Sequence, residues 1–220
     1  MKNKLWVFGC SLSTGFRGSL TMVKDELTWP GVLAEKLDME LVNQAHAGQC
    51  NWVSILQFID RRDEFKKGDK IMFEFTFFDR YNIYPTRAQL IDIKEYIIRN
   101  KGTLAEMNKD MRDNNFKWFK KHVFEWCVDR GVEIYFWSIE GQTHLDFKRY
   151  DDIINFVPAP NSVDIKPNYS FYTKWQDQIE EQWVSESDKH FNEHGHSVLG
   201  NYFYEFISEV NYNYVYTKLI

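Results

Sequence analysis

Leu5-Trp6-Val7-Phe8-Gly9-Cys10-Ser11-Leu12-Ser13 is the stretch of sequence that decides the fold. A short run of large apolar side chains breaks off at Gly9, and a loop rich in glycine and hydroxyl residues continues over 13–21. This pattern predicts a buried first strand that delivers Ser11 to a tight turn at its carboxyl end. Open α/β sheets bind ligands beyond the carboxyl ends of their strands, so the Ser11 hydroxyl is well placed for nucleophilic chemistry.

A second feature, near the other end of the chain, offers partners for that hydroxyl. Residues 188–196 read Asp-Lys-His-Phe-Asn-Glu-His-Gly-His. An activated serine needs an imidazole base and a carboxylate that orients the base, and Asp188 and His190 are of these types. Side chains two residues apart on an extended segment face the same side, so both groups can be presented together. The alternative for Ser11 is a turn serine whose hydroxyl bonds its own backbone.

Length and composition restrict the class of protein. With 220 residues, 44 % of them hydrophobic and 17 % aromatic, the chain can bury a sizeable core and is not disordered. We expect one domain over residues 1–220. The net charge of −5 offers no basic field for phosphate backbones, which argues against a nucleic-acid partner.

The cysteines and the N-terminal segment bear on the compartment. Cys10, Cys50 and Cys127 are few, odd in number and widely spaced, which argues against a disulfide framework and suits a reducing environment. The N-terminal apolar run ends at about Cys10 without a small-residue cleavage site, so a first strand is a better interpretation than a signal peptide. No stretch approaches the length of a transmembrane span. We therefore expect a cytoplasmic protein with no membrane partner.

Strands and helices alternate along the rest of the chain. Helices are predicted to begin at Thr28-Trp29-Pro30 and at Trp52, to span 116–127 before a stop at Arg130-Gly131, and to close the chain over 198–210. Further strands are predicted at 39–43, 70–76 and 132–137, with a candidate fifth at 153–156. Segments near 80–112 and 141–187 lack a sheet-building pattern and are expected to be lid-like insertions. The order predicts an α/β protein: a three-layer α/β/α sandwich, doubly wound and flavodoxin-like, on a mostly parallel sheet of about five strands.

Three short motifs resemble the conserved blocks of the SGNH (GDSL-type) hydrolases. Phe8-Gly9-Cys10-Ser11 is similar to the variant first block of that family, and residues 42–51 are similar to the second block, with Gly48 at the oxyanion glycine. Asp188-Lys189-His190 is similar to the last block, with one residue rather than the more usual two between the acid and the histidine. The resemblance implies Ser11 as nucleophile, His190 as general base and Asp188 as its orienting acid. It also implies an oxyanion hole from the backbone N–H groups of Ser11 and Gly48, and it implies no cofactor and no metal.

Two positions depart from the family pattern. The aspartate that follows the first-block glycine is replaced by Cys10, for which we expect a space-filling role rather than a nucleophilic one. The third-block Gly-x-Asn-Asp is absent, and residues 75–80 read Phe-Thr-Phe-Phe-Asp-Arg. The family's asparagine donates to the oxyanion, so a substitute donor is expected, tentatively Asn51 or Thr76. The alternatives are a helix cap for Asn51 and an ordinary strand-end threonine for Thr76.

The histidine-rich segment also admits a metal site as an alternative. Glu193, His194 and His196 join His190 there, but the order His-Glu-x-x-His of zinc proteases is missing and Gly195 interrupts the set. We expect no metal at this segment. His196 is predicted to be a structural histidine at the start of the last helix.

Two classes of function follow from these motifs. The first is a serine esterase or deacylase that hydrolyses an O-acyl ester, in particular an acetyl ester on a carbohydrate or another small molecule. Aromatic residues within 141–185 offer faces on which sugar rings stack. The second is a catalytically weak relative that serves as a binding or structural component, for instance in a phage particle or a glycan-handling assembly. An O-acyltransferase, in which a sugar hydroxyl replaces water, is the alternative among enzymes.

Overall fold

The computed structural model describes residues 2–16, 23–76, 114, 117–138 and 190–209 of the 220-residue chain. Asp188, the candidate strand at 153–156 and the predicted insertions near 80–112 and 141–187 lie outside these described residues. The predictions made for them therefore stay predictions.

In the described part of the chain, four strands form one parallel sheet. They are β1 (Lys4–Phe8), β2 (Glu40–Asn43), β3 (Lys70–Phe75) and β4 (Glu133–Ser138). Their spatial order is β2-β1-β3-β4, and every described pairing is parallel. The chain leaves β1 toward β2 on one side and later returns to place β3 on the other side. The strand order thus reverses between β1 and β3, which is where ligands bind in such sheets.

The helices follow the predicted alternation. They are α1 (Trp29–Lys36), α2 (Asn51–Arg61), α3 (Glu125–Arg130) and α4 (Glu193–Glu209). Thr28 caps α1 by accepting from the Gly31 N–H at 3.3 Å, as predicted. Gly131 ends α3 in the left-handed region at φ +65°, also as predicted.

Two helices differ from the prediction in detail. The helix α4 begins five residues before the predicted start at Val198, because Asn192 Oδ1 accepts from the Gly195 N–H at 2.9 Å and stabilises an earlier first turn. A π-helical turn over Lys120–Phe124 precedes α3. Such a turn inserts one residue into the helical repeat, and the apolar spacing of the sequence does not reveal it.

Alternate residues of the strands supply two separate cores. Leu5 and Val7 of β1 face the core formed with α1 and α4, whereas Trp6 and Phe8 face the core formed with α2 and the helical segment before β4. Successive side chains of β1 point to opposite faces of the sheet, and those on both faces are apolar. A sheet covered by helices on both sides requires this pattern. The described elements confirm the three-layer, doubly wound α/β class.

Asp69 anchors the amino-terminal edge of the sheet. It is 2 % exposed and lies immediately before β3. Its carboxylate accepts from the backbone N–H of Lys4 at 2.8 Å, from Trp6 Nε1 at 3.2 Å and from the backbone N–H of Lys66 at 3.1 Å. These bonds join β1 to the loop that leads into β3.

All three cysteines are buried, and none of them is in a disulfide. Burial raises the pKa of the Cys127 thiol well above its ordinary value. Within the described ranges, no helix combines the length and the apolar character needed to cross a membrane.

Candidate active site

Ser11 lies in a turn at the carboxyl edge of the sheet. β1 ends at Phe8, and a 3₁₀ turn over Ser11–Ser13 follows directly. Thr14 stabilises the turn because its Oγ1 hydroxyl donates to the Ser11 carbonyl at 3.0 Å. We call residues 9–14 the serine turn. Its position after β1 is the one predicted from the sequence. It also lies beside the point where the strand order reverses, where such sheets bind ligands.

His190, from the far end of the sequence, contacts Ser11. His190 Nε2 lies 3.0 Å from Ser11 Oγ, although 179 positions separate the two residues. The edge of the Phe16 ring meets the imidazole with centroids 5.2 Å apart, and the next residue, Phe191, is buried in the core beside α4. Phe16 thus contacts the imidazole while Phe191 anchors the adjoining backbone. The ring lies at hydrogen-bonding distance from the hydroxyl, which is the geometry of a nucleophile and its general base.

Side chains from two neighbouring elements brace the serine turn. Asn43, at the end of β2, donates from Nδ2 to the Ser13 carbonyl at 2.7 Å, and its Oδ1 accepts from the Ala45 N–H at 3.1 Å. Trp29, at the start of α1, donates from Nε1 to the Leu12 carbonyl at 3.0 Å. These two bonds to the turn fix the part that follows Ser11.

The buried carboxyl group of Glu74 also contacts the serine turn. Glu74 lies on β3 with no exposed surface and accepts from the backbone N–H and the thiol of Cys10 and from the Ser13 hydroxyl. Sequence reasoning assigned no role to Glu74 or to Asn43. A signal for Glu74 was present, since it is an acidic residue inside the otherwise apolar run 71–75.

Gly48 lies in the loop that follows β2, beside the serine turn. The His46 N–H of this loop donates to the Gly9 carbonyl at 3.3 Å, which brings the second block next to the first. Gly48 has φ +74°, in the left-handed region that favours glycine. Among the described residues, no acceptor bonds the backbone N–H of Ser11 or of Gly48.

Asn51 and Thr76 contact each other. The Thr76 N–H donates to Asn51 Oδ1 at 2.8 Å, and Asn51 Nδ2 donates to the Thr76 carbonyl at 3.0 Å. Asn51 is the first residue of α2, and no side chain caps that helix, so the alternative of a helix cap for Asn51 is wrong. The paired bonds instead fasten the start of α2 to the end of β3. The role of either residue as an oxyanion donor stays a prediction.

The other histidines of the last segment are placed apart from this contact. His196 is 1 % exposed in the first turn of α4, and its Nδ1 accepts from the Trp29 N–H at 3.2 Å, as a structural histidine would. His194 is exposed. In the described part of the chain, no three His, Cys, Asp or Glu side chains are grouped as metal ligands.

Comparison with known proteins shows the class of fold. No family model matches the sequence, and no curated protein sequence matches it. The structure is similar to a G-D-S-L family protein from Veillonella parvula DSM 2008, with a TM-score of 0.53 and 12 % identity over 94 % of this chain and 99 % of that one. It is also similar to a G-D-S-L family protein from Desulfitobacterium hafniense DCB-2, with a TM-score of 0.51 and 13 % identity over 93 % and 99 %. A third similar structure is TesA, with a TM-score of 0.56 and 11 % identity over 93 % and 98 %.

These structures define the class of protein at the level of the fold. The chain has the α/β fold of the G-D-S-L, or SGNH, proteins, in agreement with the resemblance that its sequence motifs indicate.

Proposed function

We propose that this protein is a serine ester hydrolase of the SGNH type, with Ser11 as nucleophile and His190 as general base. The observation that carries the proposal is the 3.0 Å contact between His190 Nε2 and Ser11 Oγ. A hydroxyl that only stabilises its own turn needs no imidazole from the far end of the chain. Ser11 follows β1 at the carboxyl edge of the sheet, where open α/β sheets bind ligands.

The chemistry follows from the two groups. His190 Nε2 takes the proton of the Ser11 hydroxyl as Oγ attacks the acyl carbonyl, and it then returns that proton to the leaving alcohol. Water then attacks the acyl-serine in the same way, with His190 again as the base. This step releases the acid and regenerates the Ser11 hydroxyl. Asp188, two residues before His190, is proposed to orient the imidazole and stabilise its cation.

The oxyanion formed in each step needs hydrogen-bond donors. We assign this role to the backbone N–H groups of Ser11 and Gly48, which have no acceptor among the described residues. One such donor contributes about 3 kcal/mol to transition-state stabilisation. Two donors are proposed to suffice without the third-block asparagine.

The proposed substrate class is an O-acyl ester, with an acetyl ester of a carbohydrate as the first choice. A small acyl group is compatible with a serine that is 6 % exposed. The carbohydrate part rests on the aromatic residues in 141–185 of the sequence, which include Tyr169, Tyr172 and Trp175.

A fluorophosphonate probe and an ester panel test the proposal together. The probe is expected to label the wild-type protein at Ser11 and to leave Ser11→Ala unlabelled. The wild type is expected to hydrolyse p-nitrophenyl acetate and at least one acetylated glycan, with no turnover by Ser11→Ala. Labelling at another residue, or equal turnover by Ser11→Ala, would refute the assignment. Addition of free sugar separates hydrolysis from acyl transfer, because a transferase forms acylated sugar in place of acetate.

One observation favours a second candidate, a binding or structural role. The third block lacks its asparagine, and Phe77 and Phe78 follow Thr76 there. A site that reacts with the probe at Ser11 but turns over no ester on the panel would support this candidate.

A further inference from the structure

Glu74 places a buried carboxyl group directly beneath the serine turn. It is fully buried on β3, the strand next to β1. Its Oε2 accepts from the Cys10 N–H at 3.0 Å and from the Ser13 hydroxyl at 2.5 Å, and its Oε1 lies 2.8 Å from Cys10 Sγ. One carboxyl group thus receives three donors from the residues on either side of Ser11.

Gly9 shows how closely this carboxyl group approaches the backbone. A Cβ atom at position 9 would lie 2.4 Å from Glu74 Oε2 and 2.7 Å from Glu74 Cβ. The end of β1 can contact Glu74 in this way only because residue 9 has no side chain. The glycine before the serine is therefore matched to an acid on the neighbouring strand.

These contacts bear on the reacting atoms through Ser11. The residue before Ser11 is held by its backbone N–H, and the residue two places after it is held by its hydroxyl. The backbone segment that carries Ser11 is thus anchored at both ends. Its course determines where Ser11 Oγ lies relative to His190 Nε2 and where the Ser11 N–H points.

We propose that Glu74 is the positioning residue of the Ser11 nucleophile, an inference that rests on the proposed esterase function. Glu74 acts through the backbone of the serine turn and does not touch the substrate. A carboxylate suits this role because both oxygens only accept, and the Cys10 N–H, the Cys10 thiol and the Ser13 hydroxyl donate to it. Since misplacement by about 1 Å costs on the order of a hundredfold in rate, loss of the anchor should slow chemistry rather than weaken binding.

Three variants test this role, with the buried acid at the other end of β3 as the control. Glu74→Leu removes every acceptor. Glu74→Gln keeps one oxygen, which can still accept from the Cys10 N–H and the Ser13 hydroxyl. Asp69→Asn alters a buried acid that also receives three donors but lies at the opposite edge of the sheet. Each protein is assayed for its melting temperature, its rate constant for fluorophosphonate labelling, and its kcat and KM on p-nitrophenyl acetate.

The expected result separates positioning from folding. For Glu74→Leu, labelling rate and kcat should each fall at least tenfold at a temperature where the protein is folded, with KM changed less than threefold. Glu74→Gln should recover most of that loss. Asp69→Asn should lower the melting temperature and leave the labelling rate within threefold of the wild type.

Other results would overturn the inference. A folded Glu74→Leu protein that is labelled within threefold of the wild-type rate shows that the acid serves stability alone. If Glu74→Leu does not fold, the double variant Cys10→Ala/Ser13→Ala replaces it, since it keeps the acid and its backbone bond but removes two donors. An unchanged labelling rate in that variant also refutes the role. A wild-type protein that is neither labelled nor active refutes the proposed function, and this inference with it.

Discussion

His190 and His194 are four residues apart yet lie in opposite settings. His190 contacts Ser11 Oγ, whereas His194 is exposed on α4. We expect His190→Ala to lower kcat on p-nitrophenyl acetate by about 10³-fold or more, because the serine loses its base. His194→Ala, the matched control, should stay within about threefold of the wild type, since a surface substitution away from the site has little effect.

The opposite ranking of the two histidines would show that the wrong residue has been assigned as base. A chelator tests the metal alternative in the same assay. Activity is expected to survive EDTA, and a loss that zinc restores would support the metal site in place of the serine mechanism.

Gly9 gives a second prediction for a single residue. Gly9→Ala introduces a Cβ atom 2.7 Å from Glu74 Cβ, an overlap that rotation of the carboxyl group cannot relieve. Overpacking of this kind costs about 1–3 kcal/mol, and the displaced acid should also release the serine turn. We expect a lower midpoint in urea unfolding together with slower labelling of Ser11. Equal labelling of Gly9→Ala and wild type would contradict the expected overlap.

Part of the candidate site could be predicted residue by residue. Ser11 and His190 were found because hydroxyl and imidazole are chemically distinctive and because the end of a strand is a known location for ligands. Their contact is now described, while Asp188 lies outside the described residues. Glu74 and Asn43 were missed because each acts on the backbone of another segment. Their partners are 61 to 64 and 30 positions away, and no local pattern encodes such distances.

At the scale of elements, the paired bonds between Asn51 and Thr76 join α2 to β3. Asn51→Ala would leave the buried N–H and C=O of Thr76 without these partners, at a cost of about 1–3 kcal/mol for each group. We expect a clearly lower unfolding free energy, with kcat of the folded protein within tenfold of the wild type. Thr76→Val keeps the backbone groups of residue 76 and should preserve both hydrogen bonds to Asn51. A 10²- to 10³-fold loss of kcat in either folded variant would identify that side chain as the third oxyanion donor.

The elements themselves were predictable to within one or two residues where a local signal marks them. The strands are short apolar runs bounded by turn residues, and the predicted 39–43, 70–76 and 132–137 became Glu40–Asn43, Lys70–Phe75 and Glu133–Ser138. Where the boundary depends on a distant or unusual contact, the prediction failed. The start of α4 depends on the side chain of Asn192, and the π-helical turn before α3 leaves no periodic trace.

At the scale of the whole molecule, the fold follows from the alternation of strands and helices. Crossover connections between parallel strands place helices on both faces, and the apolar residues on both faces of β1 require that cover. The strand order could not be read from the sequence, because several orders satisfy the same alternation. The observed order β2-β1-β3-β4 sets the ends of β1 and β3 side by side, and so brings the serine turn into contact with Glu74.

We therefore expect Asp69, at the amino-terminal edge of the sheet, to contribute to stability. The residues at the carboxyl-terminal edge are expected to contribute to the chemistry. Asp69→Ala tests this division. This substitution removes the acceptor of three N–H groups, which are the backbone N–H groups of Lys4 and Lys66 and the indole N–H of Trp6. The loss should lower the free energy of unfolding by about 3 kcal/mol or more in total. For a chain of this length that corresponds to a melting temperature lower by roughly 6–12 °C. At a temperature well below melting, kcat and the labelling rate of Ser11 should match those of the wild type. A fall in kcat as large as that of Glu74→Leu would mean that the two edges are coupled through β3, since the strand would then transmit the loss of its amino-terminal anchor to the serine turn.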